Sequence, residues 1–203
     1  MDYYRREASL WEIQAALKIR PIAGNLGLGG RLLEEMRSVL LEHRDTREIA
    51  GSIESMRQAG VRKAARSLGG GLDVKNGEGG IRDVEFLLQG LQLIHGPARP
   101  ELLTGNTLEA LRALVEVGLL PETTAEQLEE DYLLLRRVEH ALQVLEDRQT
   151  HALPKAPAER TALARRLFGR EGDEARLEEE LEACMLRVRK AYTTHLLEIT
   201  SEG

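Results

Sequence analysis

Cysteine is nearly missing from this 203-residue chain, which has one, Cys184. That excludes an internal disulfide and any multi-cysteine metal site. Cys184 falls between Leu181 and Met185 in a helical pattern, the usual place for a small buried apolar residue. Aromatic residues amount to 3%. Runs of β-branched residues are almost absent, while Leu, Ala, Glu and Arg dominate. These are strong helix formers, so composition alone predicts an all-α fold. No apolar run approaches the roughly 20 residues that a bilayer span needs. No signal-peptide pattern opens the chain either, since Asp2, Arg5, Arg6 and Glu7 come at once. A cytoplasmic location and no membrane partner are expected. The net charge is -6 and the pI about 5.5. No basic face of the kind that grips nucleic acid is evident, and none is expected as partner. The five histidines (His43, His95, His140, His151 and His195) show no metal-ligand spacing, so no metal site is expected.

What is present is helical periodicity. Leu10, Ile13 and Leu17 predict a helix over 3–19, ended by Pro21, Gly24 and the glycines from Gly27 to Gly30. Further helices are predicted over 30–43 and 45–67, the latter capped by Asp45 or Thr46. A strong one runs from Ile81 to His95, with Ile81, Val84, Leu88 and Leu91 on one stripe. Others follow over 107–117, from Thr123 or Thr124 to about Asp147, over 158–168 and over 173–199. Long helices joined by short loops predict an antiparallel up-and-down bundle with additional short helices.

Before the Ile81 helix lies an unusual segment, Asp73-Val74-Lys75-Asn76-Gly77-Glu78-Gly79-Gly80. Glycines at a helix start let another group approach the backbone, and free first-turn amides attract anions. Lys75, Gly77, Gly79, Gly80 and Arg82 are therefore candidates for binding a nucleotide or phosphate. The segment is neither a Walker loop nor a dinucleotide fingerprint. Arg82, Glu85, Gln89 and Gln92 recur at spacings of three, four and three, a polar stripe flanked by Asp83 and Phe86. A second stripe carries Arg136, Glu139 and Gln143, with Arg137 and His140 beside it.

Taken together these stretches resemble the glutamine synthetase adenylyltransferase/adenylyl-removing enzyme family. Trp11-Glu12, with Ala15, Lys18 and Arg20, looks like its tryptophan-containing helix. Asp73 to Phe86, continued by Gln89 and Leu91-Gln92-Leu93, resembles its most characteristic motif. Leu135 to His140 with Leu142-Gln143, and Asp147 to Pro154 with Gln149, resemble two more. The resemblance implies a nucleotidyltransferase domain paired with a helical bundle, adding AMP to glutamine synthetase or removing it, with ATP, ADP and Mg²⁺ in the parent enzyme. It implies the chain's own transferase domain, glutamine synthetase and the PII signal protein as partners. The Gln149–Pro154 stretch is more similar to the first half, which removes AMP.

Residues 1–25 are then expected to lead out of a transferase domain and 26–203 to form the bundle, since Met1 opens on what reads as mid-helix. Such a transferase domain needs a Gly-Ser element followed by Asp-x-Asp carboxylates that hold metal. This chain has no Asp-x-Asp, and Gly51-Ser52 falls in a helical stretch. The fragment is expected to be inactive alone and to hold no cofactor certain to be its own. Asp83 and Glu85 become accessory candidates for catalysis. Trp11, Lys18, Arg20, Gln89, Arg136, Glu139, Gln143 and Gln149 become candidates for the cleft between domains. The alternatives are a non-catalytic helical module that docks a partner protein, and a helical domain of a uridylyltransferase relative.

Overall fold

The computed structural model describes residues 2–68, 71–146 and 151–200. Among them the chain forms nine α-helices: α1 Asp2–Arg6, α2 Leu10–Ala16, α3 Leu26–Leu40, α4 Thr46–Leu68, α5 Ile81–His95, α6 Thr107–Glu116, α7 Glu122–Glu146, α8 Pro157–Phe168 and α9 Glu174–Tyr192. Short 3-10 turns occupy Pro100–Leu102 and Glu198–Thr200, and a π-helical turn, Thr193–Leu197, follows α9. Extended pairing among the described residues is limited to one β-bridge between Asp73 and Ala152. The fold is all-α, as the helix-forming composition predicts.

Helix α5 is the central element. It packs against α2, α4, α6, α7, α9 and the π-helical turn. Ile81, Val84, Leu87, Leu88, Leu91 and Leu93 are all essentially without exposure, so the helix is buried around most of its circumference. The outer helices contribute one apolar stripe each. Ile49, Ile53 and Ala64 come from α4, Leu128, Leu135, Val138 and Leu142 from α7, and Leu177, Leu181, Cys184 and Val188 from α9. Ile13 and Ala16 from α2, and Leu17 directly after it, belong to the same core. Cys184 is buried as expected, its thiol donating to the Asp131 carbonyl at 3.6 Å, and burial pushes the thiol well above its ordinary range.

The structure corrects several predicted boundaries. The helix predicted over 3–19 is two helices, because Ser9 and Glu12 restart it. The Ser9 amide and hydroxyl both donate to Glu12 Oε2, at 2.9 and 2.7 Å, half of a capping box. The glycines from Gly27 to Gly30 were expected to interrupt the chain and instead lie inside α3. Asn25 caps that helix by accepting from the Leu28 amide at 3.0 Å, against a cost of about 1 kcal/mol per helical glycine. Helix α7 begins at Glu122, directly after Pro121, so Thr123 and Thr124 sit in its first turn rather than at its cap. The last predicted helix leaves α geometry at Thr193.

Two glycines with similar backbone conformations separate local from tertiary cost. Gly79 (φ +74°) lies against α9, where an added Cβ would stand 1.8 Å from the Met185 carbonyl oxygen, whereas Gly118 (φ +75°) has open space around it. Gly118→Ala should lower stability by about 1 kcal/mol, the cost of left-handed backbone alone. Gly79→Ala should cost about 3 kcal/mol or more, because backbone must also move. Urea unfolding midpoints of the two variants measure the difference.

Candidate functional site

The segment from Asp73 to Gly80 satisfies itself. Asp73 Oδ1 accepts from the amides of Lys75 and Asn76, both at 2.8 Å, and its carbonyl accepts from Gly77 at 2.9 Å. The Gly80, Ile81, Arg82 and Asp83 amides donate to the carbonyls of Gly77, Val74, Lys75 and Gly80, at 2.9–3.1 Å. The Gly79 amide donates to Asp83 Oδ2 at 2.7 Å. The first-turn donors that attract anions at an open helix N-terminus are therefore spent inside the chain. The glycines have internal reasons as well: a Cβ on Gly77 or Gly80 would meet the Asp73 or Val74 carbonyl at 2.4 or 2.8 Å.

Beneath the loop lies a buried ion network that sequence reading missed. Arg57, on α4, is 3% exposed at its side chain. Its Nε stands 2.9 Å from Glu54 Oε2, its Nη1 3.3 Å from Asp83 Oδ2, and its Nη2 3.7 Å from Glu78 on the loop. The guanidinium also lies over the Tyr192 ring, 5.1 Å from its centroid, while the Tyr192 hydroxyl donates to Glu54 Oε2 at 2.9 Å. Asp83, the accessory candidate, is 1% exposed and held by the Gly79 amide and by Arg57. A signal did exist in the sequence, since Arg57 follows Ile49 and Ile53 in steps of four on the stripe that α4 buries.

A second network gathers three of the resembling stretches. Glu139, on α7, is 2% exposed at its side chain. Lys75 Nζ lies 3.1 Å from its Oε1 and Arg136 Nη1 3.0 Å from its Oε2. His151 Nδ1 lies 3.4 Å from Oε1 without hydrogen-bond alignment and is a buried nitrogen with no hydrogen-bond partner. The backbone reinforces the grouping: the Val74 amide donates to the His151 carbonyl at 3.0 Å, and the Leu153 amide to that of Leu72 at 2.9 Å. One buried carboxylate thus meets two cations and an imidazole. Lys75 and Arg136 keep about a third of their side-chain surface open.

The other candidates scatter. Arg82 is exposed and lies over the Phe86 ring, 5.9 Å from its centroid. Glu85 is half-buried and accepts from the Tyr132 hydroxyl at 3.4 Å. Gln89 and Gln92, expected to continue that polar stripe, are internal fasteners. Gln89 accepts from Gln14 at 2.6 Å, and Gln92 donates to the carbonyls of Leu102 and Thr104 at 2.6 and 2.9 Å. Trp11 and Arg20 are exposed, Lys18 donates to the Thr107 hydroxyl at 3.3 Å, and Gln143 is half-buried. Gln149 lies outside the described residues. Gly51 and Ser52 lie within α4.

The donor set does not fit a divalent metal. Among the described residues no group of three or more His, Cys, Asp or Glu could hold one. Asp83 is engaged by an amide and a guanidinium, and Glu139 by positive groups that would repel a metal ion. No described helix is long and apolar enough to cross a membrane.

A family model described as GlnD PII-uridylyltransferase matches residues 47–196. Curated relatives named bifunctional glutamine synthetase adenylyltransferase/adenylyl-removing enzyme align as well. One from Streptomyces coelicolor is 39% identical over 170 residues, covering 81% of this chain and 16% of the relative. One from Xanthomonas campestris is 42% identical over 164 residues, covering 80% and 17%. The chain belongs to the glutamine synthetase adenylyltransferase/adenylyl-removing enzyme family. It spans about a sixth of the length of these relatives. The family model starts after the Trp11–Arg20 stretch, so that stretch plays no part in its match.

Asp83 and Glu54, the two carboxylates closest to Arg57, titrate in opposite senses. Burial raises the Asp83 carboxyl above its ordinary value, against the pull of the Gly79 amide and Arg57. Burial also opposes ionisation of Glu54, but hydrogen bonds from Arg57, Gln58 and Tyr192 outweigh it and hold that carboxyl below its ordinary value. Glu54 therefore contributes stability that is present above the ordinary carboxylate value and lost as pH falls through its depressed one. Asp83 contributes stability that is present below the ordinary value and lost as pH rises through its raised one. Urea midpoints taken from neutral pH down to acid should fall less steeply in Glu54→Gln than in the parent, and more steeply in Asp83→Asn.

Proposed function

We propose that this chain is the helical partner of a nucleotidyltransferase domain in an enzyme that adds AMP to glutamine synthetase or removes it. The observation that carries this reading is the convergence on Glu139. Lys75 of the glycine-rich stretch, Arg136 of the α7 stretch and His151 of the last stretch reach one buried carboxylate. Three resembling segments, separate in sequence, thereby form one surface. Two cations facing one buried anion leave that surface with positive charge toward solvent. The transferred AMP carries phosphate in either direction, so such a surface suits the wall of a phosphate-handling cleft. Glu139 holds Lys75 and Arg136 in place, and their outward ends neutralise phosphate oxygens. The Arg57–Asp83 network fixes the loop that carries Lys75. The carboxylates that take metal and nucleotide belong to the transferase domain, so this chain is inactive alone. The resemblance of the last stretch favours the half that removes AMP, with PII as a further partner of the whole enzyme.

A second reading, docking of a partner protein without chemistry, is favoured by one observation. Ile22, Leu26, Leu28 and Leu32 are 82%, 63%, 58% and 46% exposed on and before the first half of α3.

The test is release of AMP from adenylylated glutamine synthetase by phosphate, using the upstream transferase domain with and without this chain. Activity should require both. Lys75→Ala and Arg136→Ala should each lower it about tenfold to a hundredfold, at a temperature where circular dichroism shows the helical fold of each variant retained. Full activity without the chain overturns the catalytic reading. In that case Leu28→Asp should weaken co-sedimentation with glutamine synthetase, as docking through α3 requires.

A further inference from the structure

A cavity of about 350 Å³ that shares no residue with the Glu139 cluster opens between the start of α7 and the end of α9. Its size lies within the range of small-molecule sites. At its edge Asp131 is 2% exposed at its side chain and Arg187 42%. Arg187 Nε donates to Asp131 Oδ2 at 3.1 Å and Nη2 to Oδ1 at 2.6 Å. Both carboxylate oxygens are thereby answered and the negative charge is neutralised. The guanidinium, anchored through two of its five N–H donors, keeps the rest for a ligand in a fixed plane.

The remaining lining is rich in donors. Lys190 lines the cavity and forms no ion pair among the described residues, and the hydroxyls of Thr123, Thr124 and Thr194 make no hydrogen bond among them. His195 completes the polar side. Burial lowers its pKa, so the ring is neutral near pH 7 and offers one N–H. Leu128 and Ala191 form an apolar floor. The geometry of this wall has a specific cause. Helix α9 gives way at Thr193 to a π-helical turn, whose wider ring of backbone brings Thr194 and His195 to the cavity. Turns of this kind occur disproportionately at functional sites.

We propose that this cavity binds a small phosphorylated metabolite, its phosphate held by Arg187 and Lys190 and its carbon body resting on Leu128 and Ala191. An anchored guanidinium, an ammonium and three free hydroxyls offer more donors than the two oxygens of a carboxylate can use. The three free oxygens of a phosphomonoester match them better. The site shares no residue with the Glu139 cluster and does not depend on the function proposed above.

Calorimetric titration of this chain with glycerol 3-phosphate, inorganic phosphate and acetate, in chloride at about 150 mM to screen diffuse attraction, tests it. Glycerol 3-phosphate should bind more tightly than either other probe. Lys190→Ala should weaken it at least about tenfold and Thr194→Val by a smaller factor, both at exposed positions where the fold is kept. Lys155→Ala, an exposed lysine outside the cavity, should change nothing. The proposal is overturned if the ester gives no binding heat, if acetate or inorganic phosphate binds equally well, or if Lys190→Ala leaves the affinity intact.

Discussion

Taking an ion out of water costs several kcal/mol unless partners replace its hydration. Arg57 is the place where this chain meets that constraint most severely. Its guanidinium is almost wholly enclosed, and what encloses it comes from four parts of the chain. Glu54 lies one turn back on the same helix, Glu78 in the glycine-rich loop, Asp83 in the first turn of α5 and Tyr192 at the end of α9. Glu54, Asp83 and Tyr192 cannot shift without leaving Arg57 buried and short of a partner, while Glu78 reaches it from the solvent side. The loop's course follows from this, because Asp83 holds the Gly79 amide, and Gly79 in turn fits under the Met185 carbonyl. The long buried surface of α5 then becomes the floor on which α2, α6 and α7 are laid.

The sequence declares much of this architecture but conceals its polar joints. Helix α5 is legible to the residue, because its apolar positions recur every three or four residues between a glycine stretch and Gly96-Pro97. Its polar stripe is legible as a stripe but not as to what it faces. Gln89 and Gln92 occupy the spacing of a solvated or cleft-lining face, yet α2 and the 102–104 segment cover them. Periodicity tells which residues share a side of a helix and says nothing about which element covers that side. The break between α1 and α2 has the opposite origin. There a local signal, Ser9 three residues before Glu12, overrides a continuous apolar pattern.

The glycine-rich stretch shows the same divide. Its chemistry reads equally as a cradle for a ligand and as a turn that closes on itself, and only the partners of its amides separate the two. The carbonyls and carboxylates of residues 73–83 take them up, so the glycines serve contact with α9 and with the loop's own backbone. What the stretch presents outward is the side chain of Lys75. That it meets Arg136, Glu139 and His151 is beyond the sequence, because the contact depends on segments 61 to 76 residues apart being brought together by the packing of α5, α6 and α7.

That separation has a consequence for how the chain is made. A ribosome delivers residues in order, and the loop emerges well before the strand-like partner at His151–Leu153 and long before Met185. During that interval Lys75 lacks Glu139 and Arg57 lacks the Tyr192 ring, both still untranslated. The glycine-rich stretch can therefore acquire its final shape only once α9 has been made. Its correct geometry amounts to a check that α9 has arrived and docked.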